Sequence, residues 1–226
     1  NDKGFDNGRL VESNRIRFSE LTEGNIYSYK ITAVNNGGES FPSEILSVYF
    51  NKKSPDPVLI VNGFDRVSVP ASFDSPGFSG FTNFIDEGVP DKYELAYTGS
   101  QFNFNPDSKW ITDDNPGHGA SHSYNEGKVI AGNSFDFVYN HGKALKENGI
   151  SFCSSSDESV MNGEVDLIKY KMVDLIFGEE KKTAPPKYQD KIKYEVFPIA
   201  LREKVKLYLN EGGKLFLSGS YIGTDL

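Results

Sequence analysis

Val58-Leu59-Ile60-Val61-Asn62-Gly63-Phe64-Asp65-Arg66 is the stretch that decides the fold of this 226-residue chain. Four consecutive apolar residues, three of them β-branched, predict a strand buried on both faces, the pattern of a parallel sheet. The polar, glycine-containing run behind them marks its end. Further along, Ser134 to Asn148 carries apolar residues at Phe135, Val138, Tyr139, Ala144 and Leu145 and stops at Asn148-Gly149, as a crossover helix does. Ile150 to Cys153 reads as a second strand and Met172 to Phe177 as a third. Pro198 to Asn210 reads as an amphipathic helix closed by Gly212-Gly213, and Lys214 to Gly219 as a fourth strand. Parallel strands joined by helices imply right-handed crossovers, so the expected fold class is α/β with a doubly wound, mostly parallel sheet. That sheet is expected to be unfinished at Leu226.

Upstream, Leu21-x-x-Gly24-x-x-Tyr27 has the spacing of a tyrosine corner, in which a tyrosine hydroxyl bonds to backbone a few residues earlier. Tyr27, Tyr29, Ile31 and Ala33 alternate with polar neighbours, the period of a half-buried strand. Asn35-Asn36-Gly37-Gly38 reads as a turn, and Ser43-Glu44-Ile45 leads into a strand through Val48 and Phe50. Residues 5 to 51 resemble the C-terminal part of a fibronectin type III module. Such a sandwich has about seven strands in ~100 residues, and only 26 residues precede Tyr27. The resemblance therefore implies a partial all-β sandwich, and a longer chain whose other domains are partners. Asn51-Lys52-Lys53-Ser54-Pro55-Asp56-Pro57 reads as a stiff linker. The expected division is residues 1–54 for the partial module and 55–226 for the α/β domain. An insertion at about 66–132, rich in Gly, Pro, Asn, Ser and aromatics, is too long for a βα loop of about 2–6 residues. A short helix is expected within it near Phe78 to Glu87.

A chain that is 37% hydrophobic and 13% aromatic has the material for a packed core. Its net charge of −8 argues against binding nucleic acid, which needs clustered Lys and Arg to displace counterions. The longest basic run, Glu180-Lys181-Lys182 with Lys187 and Lys191, reads as a solvated loop. Cys153, the single cysteine, reads as a small buried hydrophobe with no disulfide partner. No apolar run reaches the ~18 residues of a membrane span.

Two further resemblances are present, one over residues 58 to 226 with the insertion set aside, the other over nearly the whole chain. Asp166-Leu167-x-x-Tyr170-x-x-Val173-Asp174-Leu175-Ile176 and Gly212-Gly213-Lys214-Leu215-Phe216-Leu217 resemble the third and fourth strands of the class I glutamine amidotransferase-like, flavodoxin-like fold. In that superfamily the residues after the strand equivalent to 214–219 form a nucleophile elbow. Leu59 to Arg66, Asp113-Asp114-Asn115-Pro116-Gly117, Val129 to Asp136 and Leu217-Ser218-Gly219-Ser220-Tyr221 resemble large secreted bacterial proteins labelled xanthan lyase or N-acetylmuramoyl-L-alanine amidase. These couple a fibronectin type III module to such a domain. The resemblance implies an exported protein, extracellular, cell-surface or periplasmic, that acts as a lyase or hydrolase on a polysaccharide or peptidoglycan or binds it, with this region a non-catalytic or degenerate module that supports or binds the polymer. The alternatives are a hydrolase, its partners lying beyond Leu226 or its metal near His118, and a module for adhesion or scaffolding.

Doubly wound sheets bind ligands beyond the carboxyl ends of their strands. Asn62 and Arg66 are thereby candidates for substrate binding, and Asp65 and Ser220 for catalysis. Ser220 stands where the amidotransferase-like fold keeps its nucleophile, yet residues 218 and 222 are Ser and Ile where a tight elbow wants small residues on both sides. The alternative role is a turn or helix cap. Asp65 and Arg66 could equally pair with each other and order the start of the insertion. Asn115-Pro116-Gly117-His118-Gly119 resembles the segment of zinc amidases in which the histidine binds metal, which makes His118 the candidate ligand should zinc be used; His122, Glu126 and His141 are available to join it. The other expectation is that no cofactor is needed and that the histidines lie in a Gly/Pro loop. Trp110 and Tyr124, surrounded by Asp, Asn and Gly, are the aromatics expected to stand exposed against a sugar ring, whereas most others close a satellite core.

Overall fold

The structure is a computed structural model describing residues 5–6, 8–19, 21–40, 43–65, 72–81, 102–103, 105–109, 111, 117–118, 120, 122–123, 136–180, 182 and 195–223. In chain order the strands are β1 (Ile26–Tyr29), β2 (Val34–Asn35), β3 (Gly38–Glu39), β4 (Leu46–Tyr49), β5 (Val58–Asn62), β6 (Ser72–Ser75), β7 (Phe78–Phe81), β8 (Phe152–Ser156), β9 (Met172–Gly178) and β10 (Lys214–Gly219). The α-helices are α1 (Phe137–Glu147), α2 (Asp157–Met161) and α3 (Ile199–Asn210), and a 3-10 turn covers Leu167–Lys169.

One mixed sheet has the order β1-β4-β8-β5-β9-β10, while β2-β3 and β6-β7 are separate hairpins. The last four strands of the large sheet are parallel, with β5 between β8 and β9. Every residue of β5 is buried, as its unbroken apolar run requires. Alternate side chains leave on opposite faces and nucleate two cores. Leu59 and Val61 join Val173, Leu175 and Phe177 of β9 beneath Leu201, Val205 and Tyr208 of α3 and Val160 of α2. Val58 and Ile60 join Phe152, Ile176, Tyr49 and Val138 of α1. The chain steps from β5 to β8 in one direction and then reverses toward β9 and β10, which puts α1 on one face and α2 and α3 on the other.

The helix α1 lies close on the sheet because Gly142 faces Phe152. A Cβ at that position would run into the Phe152 ring, so a residue that costs a helix about 1 kcal/mol relative to alanine is required by the approach.

Strands β1 and β4 pair antiparallel and extend the parallel sheet beyond β8. The boundary expected near residue 55 thus lies inside a continuous sheet. Only Tyr49 and Phe152 are register partners at the β4/β8 seam, where two serines supply further bonds. The Ser154 hydroxyl accepts from Ser47 N–H at 2.7 Å and donates to Ser47 C=O at 2.7 Å. The Ser151 hydroxyl does the same for Asn51, at 2.9 and 3.2 Å. Upstream, Thr22 N–H donates to the Tyr27 hydroxyl at 2.7 Å, the link that the tyrosine-corner spacing predicts.

Several expected boundaries shift. The strand alternation foreseen through Ala33 stops at Tyr29, because Ile31 N–H donates to Ser43 Oγ and its carbonyl accepts from Ser43 N–H. Ile31 is left solvent-exposed. The helix expected at 78–87 is not formed over 78–81, which pair as β7 with β6; residues 82–87 lie outside the described residues. The second strand runs three residues past Cys153, to Ser156. Cys153 itself packs half-buried against the α3-side core, and burial pushes its thiol pKa up. No helix among the described residues is long and apolar enough to cross a membrane.

Replacing Ser154 by Ala is expected to destabilise the protein by about 1–3 kcal/mol, since it strands both backbone groups of Ser47 at a partly buried seam. Gly142→Ala is expected to cost about 1–3 kcal/mol by overpacking, despite alanine's helix propensity. Urea unfolding checks both; a change below about 0.5 kcal/mol in either variant would contradict the packing described.

Candidate functional site at the carboxyl ends of the parallel strands

The exit of β5 is a fixed loop. Gly63 N–H donates to Ile176 C=O at 2.8 Å, and a Cβ at Gly63 would lie 2.8 Å from the Phe177 ring, so β5 can turn off the sheet here only with glycine. Asn62, buried, donates from Nδ2 to Phe64 C=O at 3.3 Å, and its Oδ1 makes no hydrogen bond among the described residues. Phe64 is buried edge-on against Phe137 at 5.6 Å. Asp65 N–H then donates to Glu180 Oε2 at 3.0 Å. The Asp65 residue is exposed at the end of this brace.

The neighbouring strand β8 ends directly in the acidic first turn of α2, Asp157-Glu158. Carboxylate oxygens of Asp65, Asp157 and Glu158 all lie within 4.8 Å of one another. Asp157 is buried and its two neighbours are exposed. Burial foremost, then the charges of Glu158 and Asp65 and a hydrogen bond with Glu158, push the Asp157 pKa up to about 8. At neutral pH Asp157 therefore holds a proton and can donate it. Three carboxylates this close cannot all ionise cheaply, and a proton on the buried one relieves the charge.

On the far side of β9, Ser220 N–H donates to Gly178 C=O at 2.8 Å just after β10 ends in a register shift. Asp65 and Ser220 are thus tied to the same exit, Gly178–Glu180, from opposite sides. The Ser220 residue is exposed, and among the described residues its hydroxyl bonds to no histidine or carboxylate. Arg66, Trp110 and Tyr124 lie outside the described residues. His118 is held through its backbone, donating to Lys109 C=O at 3.1 Å and accepting from Ile111 N–H at 3.0 Å. Among the described residues it joins no group of metal-ligating side chains. His141, considered in sequence as its companion, lies on α1 with Nδ1 2.8 Å from Asp174 Oδ2 of β9.

Sequence reasoning passed over Asp157, Glu158 and Glu180. The first two were hidden because the strand was expected to stop at Cys153; running the same apolar and small-residue stretch through Ser156 puts Asp157-Glu158 at a strand end. Beside Lys181 and Lys182, Glu180 reads as part of a solvated loop, whereas it is only 1% exposed. Lys182 is exposed as expected.

Comparison of the chain with protein-family models, with curated proteins and with solved structures returns no match. The fold and the site define an α/β protein with a carboxylate cluster at the strand ends.

The raised Asp157 pKa has a definite sign in stability. The unfolded chain releases this proton near pH 3.8 and the folded chain near pH 8, so the folded state binds more protons between those values and loses stability as pH rises through the window. The loss accrues at about 1.4 kcal/mol per pH unit across that window. Asp157→Asn is expected to be more stable than the wild type at pH 8 and equal to it near pH 3.5, measured by denaturant unfolding. Parallel pH profiles for the two proteins would contradict the assignment.

Proposed function

We propose that the chain is part of an exported protein that acts on or binds a polysaccharide or cell-wall glycan, with the sugar held at the carboxyl ends of β5 and β8. The observation that carries this reading is the buried, proton-holding Asp157 beside the exposed carboxylates of Asp65 and Glu158. Pairs of carboxyl groups whose environments separate their proton affinities are the means by which glycan-cleaving sites donate a proton to a departing oxygen. In this reading Asp157 donates that proton to the departing oxygen, the carboxylate of Asp65 or Glu158 takes a proton from the water whose oxygen bonds to the anomeric carbon, and the other carboxylate accepts hydrogen bonds from sugar hydroxyls. The aromatic-rich insertion begins at the residue after Asp65.

The parallel strands, numbered among themselves in chain order, run 2-1-3-4, which supports the flavodoxin-like description of this part. In that topology ligands sit where the strand order reverses, and here that is the β5 exit. The Thr22 to Tyr27 bond supports the fibronectin type III resemblance of the N-terminal strands. A hydrolase reading through Ser220 is less well supported, since its hydroxyl meets no base among the described residues.

The test is turnover and binding of a panel of polysaccharides and peptidoglycan by the purified protein. Cleavage is expected to decline as pH rises through about 8. Asp157→Asn is expected to lower it roughly 10²–10⁴-fold while polymer binding persists. Wild-type protein that neither cleaves nor binds any polymer, or an Asp157→Asn variant as active as the wild type, would contradict the proposal.

A further inference from the structure

We infer that Glu180 is a positioning residue whose buried carboxylate grips the main chain of Asp65 and so sets how closely the Asp65 side chain approaches Asp157. The inference rests on the reading of the strand-end carboxylates as the working site. Glu180 leaves β9 in a tight turn, in which Gly178 takes φ +51° and Glu180 N–H donates to Phe177 C=O at 2.9 Å. That turn buries the side chain and brings Oε2 to 3.0 Å from Asp65 N across 115 residues of sequence. The contacts upstream, Gly63 to Ile176 and Asn62 to Phe64, fix the loop before Asp65; Glu180 fixes Asp65 itself.

Among the described residues, the charged groups acting on the Asp157 carboxyl are Glu158 on its own helix and Asp65 from the β5 exit. If Glu180 positions Asp65, the proton affinity of Asp157 reports it, although Glu180 does not itself join the cluster. The readout is the Asp157 side-chain carboxyl titration by ¹³C NMR in the wild type, Asp65→Asn, Glu180→Leu, Glu180→Gln and Glu180→Asp. Asp65→Asn and Glu180→Leu are each expected to lower the midpoint by about one pH unit, and the second change to add little to the first. Glu180→Gln keeps the acceptor and loses the charge, so it should hold the wild-type midpoint. Glu180→Asp keeps the charge and withdraws the carboxylate by one methylene, so it should lower the midpoint; it carries the test should Glu180→Leu fail to fold. A wild-type midpoint in the ordinary carboxylate range would remove the reading of the site. A wild-type midpoint near 8 with Glu180→Gln falling as far as Glu180→Asp would show a charge effect and overturn the positioning role alone, as would no change in Glu180→Leu or Glu180→Asp.

Discussion

Burial of β5 on both faces is the constraint on which the rest depends. Its side chains divide between two cores, so the strand holds α1 on one side and α3 on the other. Its abrupt end at Gly63, where no Cβ can fit against Phe177, turns the chain out of the sheet at the point where the strand order reverses. The position of Asp65 follows from that turn. So does its proximity to Asp157, because β8 is the parallel neighbour and ends in register with β5 at Asn62 and Ser156.

Much of this architecture was legible in the residues. The run Val58 to Val61 could only be a doubly buried strand, and the glycine stops after Asn148 and Glu211 bounded both long helices. The β10 strand has the limits its apolar run implies. What escaped was set by tertiary contact. The β4/β8 seam is held by serine hydroxyls bonding to backbone about a hundred residues away, and nothing in a local pattern distinguishes such a serine from an exposed one.

The site was legible in its location but only partly in its composition. The rule that ligands gather at strand ends led to Asn62, Asp65 and Ser220, all of which lie there. It missed Asp157 because the Ser154-Ser155-Ser156 run lacks the apolar signature by which strands are recognised, although the strand continues through it. Glu180 was missed for a different reason. A glutamate beside two lysines is normally solvated, and its burial is created by a partner, the Asp65 amide, that no local window contains. His141, which the sequence offers as a companion of His118, is engaged by Asp174 of β9, a partner that no local window contains.

Two physical costs converge at one rim, a buried carboxyl that keeps its proton and a main-chain turn held by a buried carboxylate. The first is the feature that carries the proposed function, the second the one that carries the positioning role of Glu180. The most direct measurement is an amide NMR titration of the protein with soluble glycan fragments. The account predicts shifts concentrated at residues 62–65 and 156–158, the ends of β5 and β8. Shifts confined to the neighbourhood of His118 or to β1 and β4, with the strand ends silent, would contradict it.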